Sequence, residues 1–209
     1  MTHTLVEQFI LLWVVIDPIG TIPVFISVTA AMTAVQRRRV AVQATIASTS
    51  VLLTFLVGGQ FLINALQISL PAFQIAGGLV LLVFALTMIF GDSKPESEAL
   101  GYEQEPDGGS VAVFPLAMPS LASPGAILAI VVLTDNNRFS IEEQAVTAGI
   151  MVAIMLCALA LMLLASPILK VIRMAGAALV SRVMGMILAA VAVNTMINAV
   201  IELIRTTAV

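Results

Sequence analysis

Ile16-Asp17-Pro18-Ile19-Gly20-Thr21-Ile22-Pro23-Val24-Phe25 lies in the middle of an apolar run from Phe9 to Val28. The run is long enough to cross a bilayer as a helix, which takes about 20 apolar residues. A carboxylate, a glycine and two prolines inside it are costly. An ionisable residue at membrane depth defaults to a functional role, and Pro18 and Pro23 release backbone groups that lipid cannot satisfy. The plainer alternative is a proline kink beside a buried Asp17.

The rest of the composition agrees with a membrane setting. Of 209 residues, 60% are hydrophobic and 10% charged, whereas a soluble domain carries about 25% charged residues. The single cysteine, Cys157, excludes a disulfide framework and reads as a small apolar packing group. One histidine, His3, and one cysteine cannot make a metal cluster, so no metal or cofactor is expected. A net charge of -3 spread over several connections argues against nucleic acid. The N-terminus lacks a basic n-region, so the first apolar segment reads as a mature span.

The expected fold is an all-α membrane protein with six transmembrane helices, near 6–29, 41–64, 71–91, 112–134, 145–168 and 178–204. Gln36-Arg37-Arg38-Arg39 falls in the first connection, and Asp135-Asn136-Asn137-Arg138 in the fourth. The connection from Gly91 to Ser110 is rich in acids, prolines and glycines and reads as a surface linker. The domain plan is then a first three-span unit at 1–92, an acidic cytoplasmic linker at 93–110 and a second three-span unit at 111–209. With six spans, Arg37, Arg38, Arg39, Lys94, Lys170, Arg173 and Arg182 share one side, against Arg138 and Arg205 on the other. Lys/Arg excess marks the cytoplasm, which puts both termini on the periplasmic side.

The halves resemble each other. Asp17-Pro18 matches Ser123-Pro124, 106 positions later; Gly77, Thr87, Met88 and Ile89 match Gly185, Thr195, Met196 and Ile197, 108 positions later. Three spans per half force the copies into opposite orientations. Inverted repeats with interrupted helices point to a transporter whose site lies at the repeat interface. Asp and Ser are good N-caps and Pro suits the first helical position. The first and fourth helices are therefore expected to be broken at mid-membrane, each restarting with free N–H groups and a positive dipole end. The tips suit a small zwitterion, its carboxylate on the N–H groups near Gly125 and Ala126 and its ammonium on Asp17. Alternatively, Asp17 only caps its own half-helix. Thr87, Thr195, Asn194 and Asn198 either line the site or act as interhelical hydrogen-bond glue. Gln60 and Gln74 read as interfacial, and Gly58-Gly59 and Gly77-Gly78 as close-packing contacts.

These residues also carry a resemblance. The run from Asp17 to Phe25 is similar to the Asp-Pro-Ile-Gly-Asn-x-Pro signature of the MarC family of bacterial inner-membrane proteins, with Thr21 in place of Asn. Pro115-Leu116-Ala117-Met118-Pro119-Ser120-Leu121-Ala122-Ser123-Pro124-Gly125-Ala126-Ile127 resembles a second signature of that family, with Ser123 where Gly is usual. Gln74-Ile75-Ala76-Gly77-Gly78 resembles its third span. The resemblance implies six spans, a plan similar to the LysE-type exporters, and transport of small neutral amino acids.

The expectation is a secondary transporter of small neutral amino acids or similar zwitterions in the bacterial inner membrane. Its site would comprise Asp17, Pro18, Gly20, Thr21, Ser123, Pro124, Gly125 and Ala126, with Asp17 binding the ammonium or carrying a coupling proton. Its partners would be the solute and the lipid bilayer, with a homo-oligomer compatible. Its rivals are a passive small-solute channel, a membrane enzyme, which lacks a catalytic constellation here, and a structural or regulatory membrane protein.

Overall fold

The computed structural model describes residues 5–90, 108–135 and 139–207, and every element among them is helical. In chain order these are α1 (Leu5–Ile16), α2 (Thr21–Val28), α3 (Ala34–Ala65), α4 (Leu70–Phe90), the short α5 (Gly108–Val111), a wide-turned segment Ala112–Leu121, α6 (Pro124–Leu133), α7 (Ile141–Leu163) and α8 (Ala165–Thr207). Leu5–Val28, Ala34–Ala65, Leu70–Phe90, Ile141–Leu163 and Arg182–Arg205 are each long and apolar enough to cross a membrane; Gly109–Leu121 with Pro124–Leu133, bent by 57°, makes a sixth if counted as one span. Most of the linker expected at 93–110, and Asn136, Asn137 and Arg138, lie outside the described residues.

The first span is the centre of the molecule. Some 61% of its apolar window is buried, against 17–33% for the other four single-helix spans. α1 packs on α6 and α7, and α2 on the 112–121 segment, α7 and α8. The outer helices turn long apolar side chains outward, such as Val57, Phe61, Val83 and Leu156, as a lipid-facing surface requires. Cys157, expected to pack inside, is exposed on α7.

Local chemistry explains where the helices begin and end. α3 starts at Ala34, earlier than expected, because Thr33 and Gln36 form a capping box: Thr33 N–H donates to Gln36 Oε1 (2.9 Å) and Gln36 N–H to Thr33 Oγ1 (3.4 Å). Arg37, Arg38 and Arg39 therefore lie in the helix rather than in a connection. At 32 residues, α3 spans about 48 Å, well beyond the hydrocarbon core. α7 begins with a second capping box, Ser140 N–H to Glu143 Oε2 (2.8 Å) and Glu143 N–H to Ser140 Oγ (3.3 Å).

The turn before the last span is also displaced. The break was expected within 169–177, yet the helix from Ala165 to Thr207 is continuous and the chain turns at Leu164. Pro167 explains the position. It has no N–H for the carbonyl of Leu163, but it fits the first turn of a new helix, where N–H groups are unpaired anyway.

α4 and α8 pack along each other more extensively than any other pair of described helices. Gly78 faces Met196 and the Ala192 carbonyl, and Gly185 faces Met88 and the Ala85 carbonyl; an added Cβ would come within 2.6 Å and 2.9 Å of its nearest neighbour. Gly78 thus sits level with Met196 and Gly185 level with Met88, so the two helices run antiparallel. Gly59 and Gly77 receive Val131 and Leu128 in the same close manner, while Gly58 faces open space. Gln60 and Gln74, expected at the interface with water, are buried at 6% and 8% exposure.

Candidate functional site

α1 ends where Pro18 denies an N–H to the Val14 carbonyl and disfavours helical geometry at the residue before it. Asp17 takes the left-handed region (φ 51°), which Asp tolerates better than most residues. Its N–H still donates to the Trp13 carbonyl (3.1 Å), the last bond of α1. Its carboxylate Oδ1 accepts from Gly20 N–H (3.0 Å), and its carbonyl from Thr21 N–H (3.2 Å). This is the capping role weighed for Asp17, although regular helix resumes only at Thr21, with Gly20 in the N-cap position. Gly20 is required there: an added Cβ would lie 1.9 Å from Asp17 Oδ2. Pro23 falls in the first turn of α2, where no N–H is missed.

The second interruption is built differently. Phe114 and Met118 take extended geometry inside the 112–121 segment, as residues before Pro115 and Pro119 prefer. The chain then extends through Ser123 (ψ 156°), whose Oγ accepts from Ala126 N–H (3.0 Å), with Pro124 opening α6. Ser123 is the expected N-cap. Its hydroxyl proton goes to the Val15 carbonyl at 2.8 Å, a group that Ile19 N–H would have satisfied had α1 continued. The cap of one interruption therefore repairs the backbone at the other.

A second contact joins them. Thr21 Oγ1 and Ser120 Oγ are 3.0 Å apart. Thr21 directs its proton to the Asp17 carbonyl (3.1 Å), so Ser120 donates to Thr21. Ser48 of α3 approaches the Ala117 carbonyl at 3.4 Å. Asp17, Thr21, Ser120 and Ser123 are all buried, none above 3% exposure. Pro18, Gly20, Gly125 and Ala126 are buried too, and Pro124 is half-buried. The structure joins the two breaks through Ser123 and the Val15 carbonyl and through Thr21 and Ser120, with the other expected residues on either side of these bonds.

Two details of the expected site change. The Ala126 N–H assigned to a ligand carboxylate is already held by Ser123, and Gly125 packs against Leu81, so close that an added Cβ would meet it at 2.3 Å. Thr87, Asn194 and Asn198 are exposed and Thr195 is half-buried; Thr87 bonds the Phe84 carbonyl (2.7 Å) and Thr195 the Val191 carbonyl (2.9 Å) of their own helices. Exposed side chains do not line a buried junction, so Thr87, Asn194 and Asn198 are not brought to it, and the hydroxyl of Thr195 is held by its own helix. Ser120 was missed, although its place three residues before Ser123 in a proline-broken segment marked it as a partner for α2.

Chemically the junction offers one carboxylate and three hydroxyls in a dry setting. The bond between Ser120 and Thr21 joins the two interruptions by side chains alone, and so can be exchanged for a bond to a polar solute without unravelling a helix.

Comparison with known proteins places the chain among membrane proteins. A family profile described as MarC family integral membrane protein matches residues 2–204. A UPF0056 membrane protein of Methanocaldococcus jannaschii is 32% identical over 186 residues, covering 89% of this chain and 90% of that protein. The UPF0056 membrane protein YhcE of Escherichia coli is 31% identical over 201 residues, covering 92% and 89%. The UPF0056 inner membrane protein MarC of Citrobacter koseri is 28% identical over 200 residues, covering 91% and 90%. No solved structure matches.

Proposed function

The chain belongs to the MarC family of integral multi-pass membrane proteins, and from that premise and the geometry above we propose that it is a secondary transporter of small neutral amino acids or similar zwitterions. The observation that carries this reading is the buried junction, where two interrupted helices meet through Ser120 and Thr21 (3.0 Å) and through Ser123 and the Val15 carbonyl (2.8 Å).

The finer architecture belongs to the same proposal: two inverted three-span repeats with interruptions at mid-membrane. Several paired features support it. Asp17 and Ser123 each accept from the N–H three residues on. The capping boxes at Thr33 and Ser140 stand 107 positions apart. α2 and α6 each end on a threonine, Thr29 and Thr134, whose hydroxyl turns back to the carbonyl four residues earlier at 2.6 Å and 2.7 Å. The α4–α8 contact is reciprocal to within one residue of the 108-position offset, Gly78 on Met196 and Gly185 on Met88. Such a contact between antiparallel helices is what a pseudo-twofold axis in the membrane plane would produce.

The buried junction is then an occluded state. In the open states the Ser120–Thr21 bond gives way, and the two hydroxyls with Asp17 receive the solute's polar groups from either side. Asp17 binds the ammonium or carries a coupling proton, a common role for intramembrane acids. The basic end of α3 faces the cytoplasm.

Counterflow of radiolabelled neutral amino acids in proteoliposomes tests the reading. A carrier shows saturable counterflow; flux that never saturates and shows no counterflow would overturn it in favour of a pore. Asp17→Asn preserves an oxygen for Gly20 N–H while removing the titratable charge. It is expected to keep the fold and to lose transport or its pH dependence. Wild-type transport with an unchanged pH profile would remove Asp17 from the mechanism.

A further inference from the structure

A cavity of about 380 Å³ opens at the basic end of the molecule, between the end of α2, the start of α3 and the α7–α8 turn. Its walls have two characters. Arg37, Arg38 and Ser166 form a polar rim, while Phe25, Met162 and Leu163 form an apolar side. Phe25 and Met162 are fully buried and make the floor, whereas Leu163 is 45% exposed on the outer surface of α7. The cavity therefore runs from a cationic rim to an apolar surface that lipid would touch.

The two arginines differ in freedom. Arg37 Nε donates to the Thr29 carbonyl (2.9 Å), one terminal nitrogen to the Ala30 carbonyl (3.0 Å) and the other to Ser166 Oγ (3.3 Å). It ties the end of α2 to the start of α8 and still keeps two of its five N–H donors. Arg38 is exposed at the rim. Two guanidiniums lining one cavity favour a phosphate, which they bind through paired N–H groups. Basic pockets between transmembrane helices at an anionic leaflet are where lipid head groups settle.

We propose that this cavity holds one anionic phospholipid, its phosphate at the rim on Arg37 and Arg38 and the start of one acyl chain along Leu163. The bound lipid braces the end of α2 against the α7–α8 turn. The site is independent of the transport reading, since neither the ligand nor its contacts involve the buried junction.

The test is thermal unfolding of the purified, delipidated full chain in detergent, with three additions: phosphatidylglycerol, phosphatidylethanolamine and inorganic phosphate. Phosphatidylglycerol is expected to raise the melting temperature by about 5 °C at saturation, as a ligand specific for the folded state does. The other two should raise it by less than about 1 °C. Arg38→Gln should abolish the phosphatidylglycerol increment, while Arg39→Gln, exposed on the same helix and outside the cavity lining, should keep it. An equal effect of phosphatidylethanolamine, or the same response in both variants, would overturn the proposal. An increment from inorganic phosphate as large as that from lipid would overturn it too, by making the ligand a free anion.

Discussion

At the scale of single residues, the two differently built interruptions share one device, a side-chain oxygen that accepts from the N–H three residues on, with different costs of failure. Gly20 is held against the Asp17 carboxylate, where even a methyl group meets Oδ2 at 1.9 Å. Gly20→Ala should therefore destabilise the protein by about 1–3 kcal/mol through overpacking. Ser123→Ala removes both the cap on Ala126 and the bond to the Val15 carbonyl. It leaves a buried acceptor unsatisfied, at about 1–3 kcal/mol, and loses a cap, at about 1 kcal/mol. Denaturation midpoints of the two variants check these values, with Ser123→Thr as the hydroxyl-retaining control for Ser123→Ala. If Ser123→Ala melts with the wild type, the cross-chain bond has no structural role. The cap of Ser123 and Pro124 was legible from residue types alone; at Asp17-Pro18 the helix restarts only at Thr21, behind Gly20, because Asp17 takes the left-handed region. Which backbone group each hydroxyl would reach across the fold was not legible, because the contact between Val15 and Ser123 is set by tertiary packing.

At the scale of elements, the close contact of α4 and α8 rests on glycines that admit a partner side chain to the backbone, the usual basis of helix association in lipid. Gly78→Leu and Gly185→Leu should each lower the melting temperature, by about 3–10 °C for an overpacking cost of this kind. The proposed pseudo-twofold axis adds that the two losses should be similar. A large loss for one and none for the other would contradict a symmetric contact. The apolar segments and their rough limits could be read from hydropathy, and of the glycines expected to pack closely Gly59, Gly77 and Gly78 do so while Gly58 faces open space. Helix limits at the basic end could not be read that way. The Thr33–Gln36 box carries helix past the hydrocarbon region into the arginine run, and Pro167 starts a helix rather than ending one. Both are cases where local hydrogen-bond chemistry, not apolarity, sets the boundary. Thr87, Asn194 and Asn198 share the lesson. A polar residue in an apolar helix marks membrane depth, but its rotation about the helix axis decides what it faces, and here it faces outward.

At the scale of the whole molecule, the first span is the most deeply buried, and the outer helices turn apolar side chains outward. Both interruptions are buried, and each one's hydroxyls complete the other's hydrogen bonds. In the transporter proposed above, this seam is what opens toward either side. The most direct measurement is chemical accessibility of the seam itself. Ser120→Cys, in a Cys157→Ala background, is treated with a membrane-impermeant maleimide in right-side-out and in inverted membrane vesicles. Alternating access predicts labelling from both sides, slowed by a transported amino acid. Labelling from one side only, or from neither, would contradict the account.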